Sequence, residues 1–499
     1  MSTVKTAWVV AVCVVVIGVA TQADAVTYSV RVLTDQPSAA EAVNNDGIVA
    51  GVKNYHPYRW DTRAGTGIEL DPGRGSGMAI NAHGDVAGYV AESATDWPRA
   101  FRWSSHAEPG HQTWVFPNLL GGALYSKAFG INDAGVVVGA CAGGAAIGVI
   151  AGGSVLEEIP TPPGWSFSIA YDVNNNGMVV GNGTSPSSIA GGVVYDTVSL
   201  DILIPESGGW RAQDAREVTD NRLVAGTAVT TSYPTSTGAY VYPVGFGPLN
   251  PMRDFAGGCE AYATNDRGDV VGIGRLPNDD IEYQFAHIRG RGTYVLNNLS
   301  GDGVWKITSL NDINDHGQIV AGGLHLNGRG VAVLLTPDTF VETSGDSVTL
   351  DGGLTSPGGL VASFPQLADP GTVNSTRRSP TVDDLASLYG PLPGALAGDE
   401  VLQQWDVEFS GTLAGPASLT LCYDDQSLGF AEDGMRIAHW QGTGWQLLTP
   451  IVDELANTAT FDTLGFSPFV VVPEPTSLAL LAAALLTLGG SRLGRKRRK

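Results

Sequence analysis

The sequence predicts an all-β fold: a seven-bladed β-propeller-like repeat domain, followed by a small antiparallel β-sandwich. Three observations support this prediction. A short turn motif recurs seven times between residues 43 and 322, at a spacing of about 45 residues, which is the size of a four-stranded propeller blade. Beyond residue 340 the repeat gives way to apolar–polar alternation of period two, which is typical of strands with one buried face. Glycine accounts for 66 of the 499 residues, and the short segments between turns leave little room for helices.

The clearest copy of the repeat is I-N-D-A-G-V-V-V-G, from Ile131 to Gly139. We expect each copy to form a tight β-hairpin, because the Asn side chain can accept the backbone N–H two residues later and the Gly three residues later supplies a positive φ. The β-branched run opens the next strand. The fifth copy is degenerate, with Thr219 and Arg222 in place of Asn and Gly. The candidate turn residues of the other six are Asn44, Gly47, Asn81, Gly84, Asn132, Gly135, Asn174, Gly177, Asn265, Gly268, Asn314 and Gly317.

A calcium loop is the functional alternative at one copy. Asp172, Asn174, Asn176 and Gly177 match the first half of an EF-hand loop. However, Gly183 stands where the loop needs a bidentate Glu. We therefore interpret these residues as a structural turn and predict no metal site. No pair of Cys or His residues has zinc spacing, and no catalytic or cofactor-binding motif occurs.

The N-terminal segment from Tyr28 to Leu33 resembles the last strand of a repeat unit, although it precedes the first hairpin. The final unit ends at Val331 to Pro337 and lacks such a strand. We expect these two segments to pair and to close the ring, because pairing removes exposed strand edges.

The I-N-x-x-G-x-V-V-G cores, with aromatic strands such as Phe101-Arg102-Trp103 after them, resemble the HAF family of extracellular repeats. The resemblance covers roughly Tyr28 to Pro337. It implies an extracellular β-propeller-like module, and it implies no established reaction.

The first 25 residues have the features of a signal peptide. Lys5 supplies a positive charge, residues 7–20 form an apolar run, and Ala23 and Ala25 fit an A-x-A cleavage site. This segment predicts export of the chain.

The C-terminus carries a second targeting signal. Pro473, Glu474 and Pro475 precede the charge-free segment 477–490 and an Arg-rich end. This arrangement resembles the PEP-CTERM sorting tail, which implies processing by an exosortase-like enzyme. Because segment 477–490 has no charges, we expect it to form a transmembrane helix. This helix is short for a hydrocarbon core of about 30 Å. Residues 471–476 should be extended and exposed, because the prolines cannot continue a helix.

Composition and charge exclude one class of partner and suggest a role for the cysteines. The formal net charge is −22, which repels nucleic acid and excludes that class of partner. Cys141, Cys259 and Cys422 have no close spacing, so we interpret them as small buried hydrophobes.

The sequence thus predicts four segments: a signal peptide (1–25), a repeat propeller (26–340), a β-sandwich (341–471) and a sorting tail (472–499) with its membrane segment at 477–490. We expect a non-catalytic structural or binding protein. It should be exported through an inner-membrane intermediate to the cell surface, outer envelope or extracellular matrix. The expected partners are an exosortase-like enzyme and extracellular polysaccharide or envelope proteins, with no cofactor. The alternative is a secreted hydrolase or lyase acting on polysaccharide, because the fold and not the spacing sets the distance between two catalytic carboxylates.

Overall fold

A computed structural model describes residues 27–473, apart from residues 109–111, 118–123, 143–145, 233–235, 246–248, 250, 253, 277–280, 290, 298, 300–303, 342, 351–353, 355–356, 394–401 and 426–434. The described residues form an all-β fold of many small antiparallel sheets with one α-helix. The chain divides into two compact units, Met1–Asp338 and Thr339–Lys499. The predicted signal peptide, including Ala23 and Ala25, lies outside the described residues.

The described residues of the first unit form seven antiparallel sheets. The chain enters with β1 (Tyr28–Val32), which belongs to the last of them. Sheet 1 consists of β2 (Ser38–Val43), β3 (Ile48–Lys53), β4 (His56–Asp61) and β5 (Thr66–Glu69). Sheet 2 consists of β6 (Arg74–Ile80), β7 (Val86–Ala91), β8 (Arg99–Trp103) and β9 (Thr113–Val115). Sheet 3 consists of β10 (Tyr125–Ile131), β11 (Val137–Ala142), β12 (Ala146–Ala151) and β13 (Glu157–Glu158). Sheet 4 consists of β14 (Ser166–Val173), β15 (Met178–Thr184), β16 (Ala190–Asp196) and β17 (Ile202–Leu203).

Sheet 5 differs from the others because its first long strand is interrupted. It consists of β18 (Glu206–Ser207), β19 (Trp210–Ala212), β20 (Glu217–Val218), β21 (Leu223–Thr230) and β22 (Thr237–Pro243). Both β19 and β20 pair with β21. Between them, the Asp214 carboxylate accepts the backbone N–H of Thr227 at 2.7 Å, so a side chain takes the place of one backbone bond of the ladder.

Sheets 6 and 7 complete the first unit. Sheet 6 consists of β23 (Cys259–Thr264), β24 (Val270–Arg275), β25 (Glu282–Ile288) and β26 (Gly292–Val295). Sheet 7 consists of β27 (Val304–Ile313), β28 (Ile319–His325), β29 (Gly330–Pro337) and β1. In the β1–β29 pair, Val30 lies opposite Leu335 and Val32 lies opposite Val333. The predicted pairing of the N-terminal strand with the final unit is therefore confirmed.

Neighbouring sheets pack against each other, with a buried apolar core at each junction. At the last junction Val320 and Leu334 of sheet 7 share a core with Val49 of sheet 1. The seven sheets therefore form a closed ring, and the first long strand of each lies next to the ring axis.

The final glycine of the repeat motif allows two paired strands to approach closely. A Cβ on Gly139 would overlap the carbonyl oxygen of Lys127 on the paired strand β10. The equivalent Gly88 and Gly272 stand in the same relation to Ser76 and Glu260. The two strands thus approach more closely than any side chain at this position would allow.

The second unit is two-layered. One sheet consists of β30 (Phe340–Val341), β34 (Gly371–Arg378), β35 (Gln403–Phe409), β38 (Met435–Trp440), β39 (Trp445–Leu448) and β42 (Pro468–Pro473). The other consists of β31 (Ser347–Leu350), β32 (Leu360–Ser363), β37 (Ala417–Cys422), β40 (Ile451–Asp453) and β41 (Thr458–Thr463). A small sheet pairs β33 (Leu367–Asp369) with β36 (Thr412–Leu413). Both large sheets contribute to one core, for example through Trp405, Leu419 and Phe461. The helix α1 (Val382–Tyr389) begins at a capping box made by Thr381 and Asp384.

The end of β42 corrects one expectation about the tail. Val471 and Val472 are buried and pair with β38, so the backbone there is extended but not exposed. The strand continues to Pro473, and the first two residues of the predicted tail therefore belong to the second unit. Glu474, Pro475 and the predicted membrane segment 477–490 lie outside the described residues.

The turn glycines lead to a stability prediction. Gly135 has a φ of 74°, where a β-branched residue is strained, so Gly135→Val should lower the free energy of unfolding by roughly 1–3 kcal/mol. Gly153→Val is the matched control, because an added Cβ there meets nothing within 4 Å and no positive φ is required.

The degenerate turn supplies the reverse test. Arg222 holds a φ of 64° without being glycine. Arg222→Gly should therefore be neutral or stabilising, by up to about 1 kcal/mol, since its half-exposed ion pair with Asp196 at 3.4 Å contributes little. Thermal and denaturant melts of the three variants measure these effects. Equal effects at positions 135 and 153 would contradict the turn geometry.

Candidate functional site

The recurring Asn side chain closes its own turn. In the first copy, the Asn44 Oδ1 accepts the backbone N–H of Asp46 at 3.1 Å and that of Ile48 at 2.9 Å. The Gly47 N–H donates to the Asn44 carbonyl at 3.0 Å, and Gly47 has a φ of 72°. All six Asn residues are buried, and all six turn glycines have positive φ.

The other edge of each amide crosses to the next sheet. Each side-chain NH2 donates to the backbone carbonyl at the equivalent position of the following turn, and the last turn bonds the first. We call this series of bonds the amide ladder. Its links run from Asn44 to Asn81, Asn81 to Asn132, Asn132 to Asn174, Asn174 to Thr219, Asn265 to Asn314 and Asn314 to Asn44, at distances of 2.8–3.1 Å. The predicted turn residues therefore also join one sheet to the next.

The amide ladder has one gap, between sheets 5 and 6. Thr219 has no amide to donate to Asn265, and its hydroxyl accepts the Leu223 N–H at 3.3 Å. A bond of a second kind spans this junction instead. In it, the Asn221 backbone N–H donates to the Asp266 carboxylate at 3.1 Å.

This second set of bonds follows the ring one residue after each Asn position, except that in sheet 5 the donor Asn221 stands two residues after Thr219. Its bonds run from backbone N–H to side-chain oxygen, from Ala82 to Asp133, Asp133 to Asn175, Asn175 to Asp220, Asp266 to Asp315 and Asp315 to Asn45. It is interrupted between sheets 1 and 2, where Ala82 offers no side-chain acceptor. The two gaps fall at different junctions, so each junction keeps at least one of the two kinds of bond.

Three carboxylates lie two residues before the Asn position, where the other turns have Ala or Gly. Asp172, Glu217 and Asp312 each accept the backbone N–H of a residue in the next sheet around the ring, at 3.0, 3.0 and 2.8 Å. Their side chains are partly open to the axis yet lie deep within the unit. Burial raises the pKa of Asp172 to about 7 and the pKa of Asp312 to about 6. Burial, aided by the negative charges of Asp312 and Asp172, also raises the pKa of Glu217 well above its usual range.

These groups surround a cavity of about 230 Å³ on the ring axis, lined by residues from all seven turns. Seven carboxylates line it: Asp133, Asp172, Glu217, Asp220, Asp266, Asp312 and Asp315. No Lys, Arg or His is part of this lining, so the cavity itself is strongly acidic.

In the segment that matches the first half of a calcium loop, side-chain oxygens accept backbone N–H groups. Asp172 accepts the Val218 N–H, and the Asn174 Oδ1 accepts from Asn176 and Met178. Across the described part of the chain, no group of three or more His, Cys, Asp or Glu side chains has a geometry suited to a metal ion.

The residues just before these carboxylates in the strands have a different chemistry. A β-bulge falls three residues before the Asn position in sheets 1, 2, 3, 4, 6 and 7, and bulges re-aim side chains. Phe129 and Tyr171 at this position have ring centroids 6.1 Å apart. The Arg216 guanidinium carbon lies 6.0 Å from the Tyr171 ring and 5.0 Å from the Tyr262 ring, and Asp214 binds its guanidinium at 3.1 Å. Sheets 3 to 6 thus present an arc of three aromatic rings and one guanidinium group.

An apolar pocket of about 500 Å³ adjoins this arc, where sheets 2, 3 and 4 meet. Its lining includes Trp97, Tyr125, Lys127, Phe129, Ser168 and Ile169, and we call it the Trp97 pocket. Tyr125 begins β10 and Phe129 is the third residue before Asn132, so the pocket extends along the strand from roughly 10 Å to roughly 20 Å from the turn. Sequence reasoning did not find this pocket, because its residues come from three different repeats.

The three cysteines of the described residues, Cys141, Cys259 and Cys422, are buried and form no disulfide. Burial raises the pKa of each thiol, so none is an activated nucleophile. Within the described residues, no helix has the length and apolar character needed to cross a membrane.

No protein-family model matches the chain, and no curated protein matches it. Among solved structures, TolB from Acinetobacter baumannii is similar at a TM-score of 0.29 and 10% identity over 60% of this chain and 63% of that one. Porphyromonas gingivalis dipeptidyl peptidase 4 is similar at a TM-score of 0.23 and 11% identity over 73% of this chain and 56% of that one. The chain therefore spans less than two thirds of each of these proteins. We draw no function from likenesses of this size.

The amide ladder can be tested with a matched pair of substitutions. Asn132→Thr reproduces the natural gap at an intact link. It should lower the free energy of unfolding by about 0.5–1.5 kcal/mol, because the Asn174 carbonyl loses one of its two donors and keeps the Gly177 N–H. Thr219→Asn supplies the missing amide and should raise stability by about 0.5–1.5 kcal/mol. Urea denaturation measures both. Destabilisation by Thr219→Asn as large as that by Asn132→Thr would contradict the ladder.

The buried carboxylates predict a pH dependence. Because folding raises the pKa of Asp172 to about 7, from an unfolded value of about 3.9, the folded state binds more protons between these values. The contribution of Asp172 to stability is therefore highest below pH 4 and is lost as the pH rises through 7. Asp172→Asn keeps an acceptor for Val218 without the charge. It should reduce the loss of unfolding free energy between pH 5 and 7.5 by on the order of 1–2 kcal/mol, a figure discounted for the solvent in the cavity.

The exposed Asp96→Asn is the control for this measurement and should leave the pH profile unchanged. Chemical denaturation at both pH values gives the comparison. An unchanged slope in Asp172→Asn would show that this carboxylate is ionised and solvated in the folded protein.

Proposed function

We propose that the chain is an exported, non-catalytic structural or binding protein of the cell surface or extracellular matrix. In this proposal the first unit is a seven-bladed β-propeller and the second is a small antiparallel β-sandwich. The observation that carries the proposal is the amide ladder. The most recurrent polar residues of the chain are buried and used to join the sheets into a closed ring, and they are not gathered into a reactive site.

The volumes of the two cavities in the ring support a binding role for one of them. The acidic cavity has a volume of about 230 Å³, which is small for a ligand site, whereas the Trp97 pocket has about 500 Å³ and falls within the range of about 300–1,000 Å³ usual for ligand pockets. A rigid ring holds this pocket in place, because its walls come from three neighbouring sheets.

The proposed route to the surface rests on the termini. The signal peptide would direct the chain across the inner membrane, and segment 477–490 would hold it there while an exosortase-like enzyme processes the tail. Because β42 continues to Pro473, Glu474 and Pro475 would follow directly on a folded domain. We infer that the processing enzyme meets a short recognition segment next to a rigid strand.

The tail yields a direct test. Mass spectrometry of protein recovered from the cell surface should find a C-terminus near residue 476. Glu474→Ala should leave the unprocessed chain in the membrane fraction without changing its melting temperature, because that residue lies beyond the strand. Glu454→Ala changes an exposed Glu of the second unit and should be processed normally. Recovery of intact Lys499 from the cell surface would contradict processing.

One observation favours the alternative of a polysaccharide hydrolase or lyase. Glycosidases use a carboxylic acid with a raised pKa as the general acid, and Asp172, Glu217 and Asp312 have raised pKa values in one cavity. Each of them, however, is bonded to a backbone N–H of the next sheet. We therefore assign them to joining the sheets.

An assay of the purified full-length chain against a panel of polysaccharides separates the two functions. The proposal predicts no new reducing ends and no unsaturated products. Product formation that is abolished by Glu217→Gln, with folding intact, would establish the alternative.

A further inference from the structure

The Trp97 pocket contains an aromatic surface that no structural role accounts for. Trp97 lies in the loop between β7 and β8, and 58% of its surface is exposed. Its ring is nearly parallel to that of Tyr125, with an interplanar angle of 19° and a centroid separation of 6.2 Å. Tyr125 belongs to the next sheet around the ring. An exposed indole is thus held against a ring from the neighbouring sheet, and the face of the pair remains open to solvent.

Polar groups stand beside this surface. The Lys127 ammonium lies 4.2 Å from the centroid of the Tyr89 ring, and among the described residues it has no carboxylate partner. Its N–H donors are therefore available to a ligand. The Ser168 hydroxyl donates to the Asn182 carbonyl at 3.1 Å, which leaves its oxygen free to accept. The pocket combines a flat apolar surface with a few hydrogen-bonding groups around it.

This combination matches the chemistry of a sugar ring. A pyranose has an apolar face of C–H groups and a rim of hydroxyls that donate and accept. The C–H face can pack on an aromatic ring while the hydroxyls bond the groups around it. A purely aliphatic ligand would leave Lys127 without a partner, and a half-exposed pocket would bury little of such a ligand.

The charge of the protein favours a neutral glycan over an anionic or a cationic one. The chain carries a net charge of −22, which repels a polyanion. A polycation would instead be attracted to the acidic cavity on the ring axis. The Trp97 pocket itself has no carboxylate in its lining. A neutral glycan avoids both effects.

We propose that the Trp97 pocket binds a neutral glycan chain, with sugar rings stacked on Trp97 and Tyr125 and hydroxyls bonded to Lys127 and Ser168. This inference rests on the proposed non-catalytic binding function and specifies its ligand. The pocket is then the point at which the protein attaches to a polysaccharide matrix.

Affinity electrophoresis of the purified full-length chain tests the proposal. The gels contain neutral polysaccharides (a β-glucan, a galactomannan or dextran) or anionic ones (alginate or polygalacturonate). We expect retardation by at least one neutral polysaccharide and none by the anionic ones. Trp97→Ala and Tyr125→Ala should each weaken binding by on the order of tenfold, the loss expected for one aromatic stacking contact with its buried area.

Trp114→Ala is the matched control. Trp114 is also an exposed Trp of sheet 2, at 47% exposure, and its indole N–H donates to the Ser154 carbonyl, away from the pocket. This variant should bind as the unmodified chain does. Trp97→Phe keeps an aromatic ring and should retain part of the affinity. Melting temperatures of all variants confirm that the fold is intact.

Binding that is unchanged in a folded Trp97→Ala variant would overturn the proposal, as would retardation by anionic polysaccharides alone or by none of the gels. These failures differ from a failure of the proposed function. If the chain were displayed at the surface but bound no neutral glycan, the pocket assignment alone would be wrong. If the chain bound a neutral glycan through Trp97 and also cleaved it, the pocket would stand and the non-catalytic function would be wrong.

Discussion

The side-chain amide of one Asn per repeat is the interaction on which the ring depends. Its oxygen accepts backbone N–H groups of its own turn, as Asn44 does from Asp46 and Ile48, and its NH2 group donates to the next turn. A carboxylate could not donate, and a hydroxyl could not reach both sides with separate atoms. Because the amides are buried, each bond that is lost leaves a polar group without water to replace it. One residue type thereby fixes both the shape of the hairpin and its position relative to the next sheet.

Every junction between neighbouring sheets keeps at least one kind of side-chain hydrogen bond. Where Thr219 interrupts the amide ladder, Asn221 bonds Asp266, and Glu217 accepts the Thr264 N–H across the same junction. Where Ala82 interrupts the second set of bonds, the amide ladder is intact. This distribution gives a physical reason why the fifth repeat can be degenerate while the ring stays closed. The cost is the burial of three carboxylates with raised pKa values, which makes stability depend on pH.

Local features were predictable from the sequence, and features shared between repeats were not. The hairpins, the repeat period and the pairing of β1 with β29 followed from Asn–Gly turn chemistry and from the missing strand of the last unit. The amide ladder requires knowing that equivalent residues about 45 positions apart lie 3 Å from each other, which spacing alone does not state. The interruption of sheet 5 at Asp214 depends on one side chain replacing a backbone bond. The Trp97 pocket combines a loop of one repeat with strands of two others, so no single motif marked it.

The most direct test of the amide ladder is hydrogen exchange of the Asn side-chain amides, followed by NMR on protein labelled with nitrogen-15 at Asn. A donor held between two buried turns exchanges only when the ring opens. The NH2 groups of Asn44, Asn81, Asn132, Asn174, Asn265 and Asn314 should therefore exchange slowly, at rates that approach those of global unfolding. The NH2 group of the solvent-exposed Asn54 should exchange within the dead time. Rapid exchange of the six ladder amides in the folded protein would show that these groups are solvated and would contradict the account of how the ring is held together.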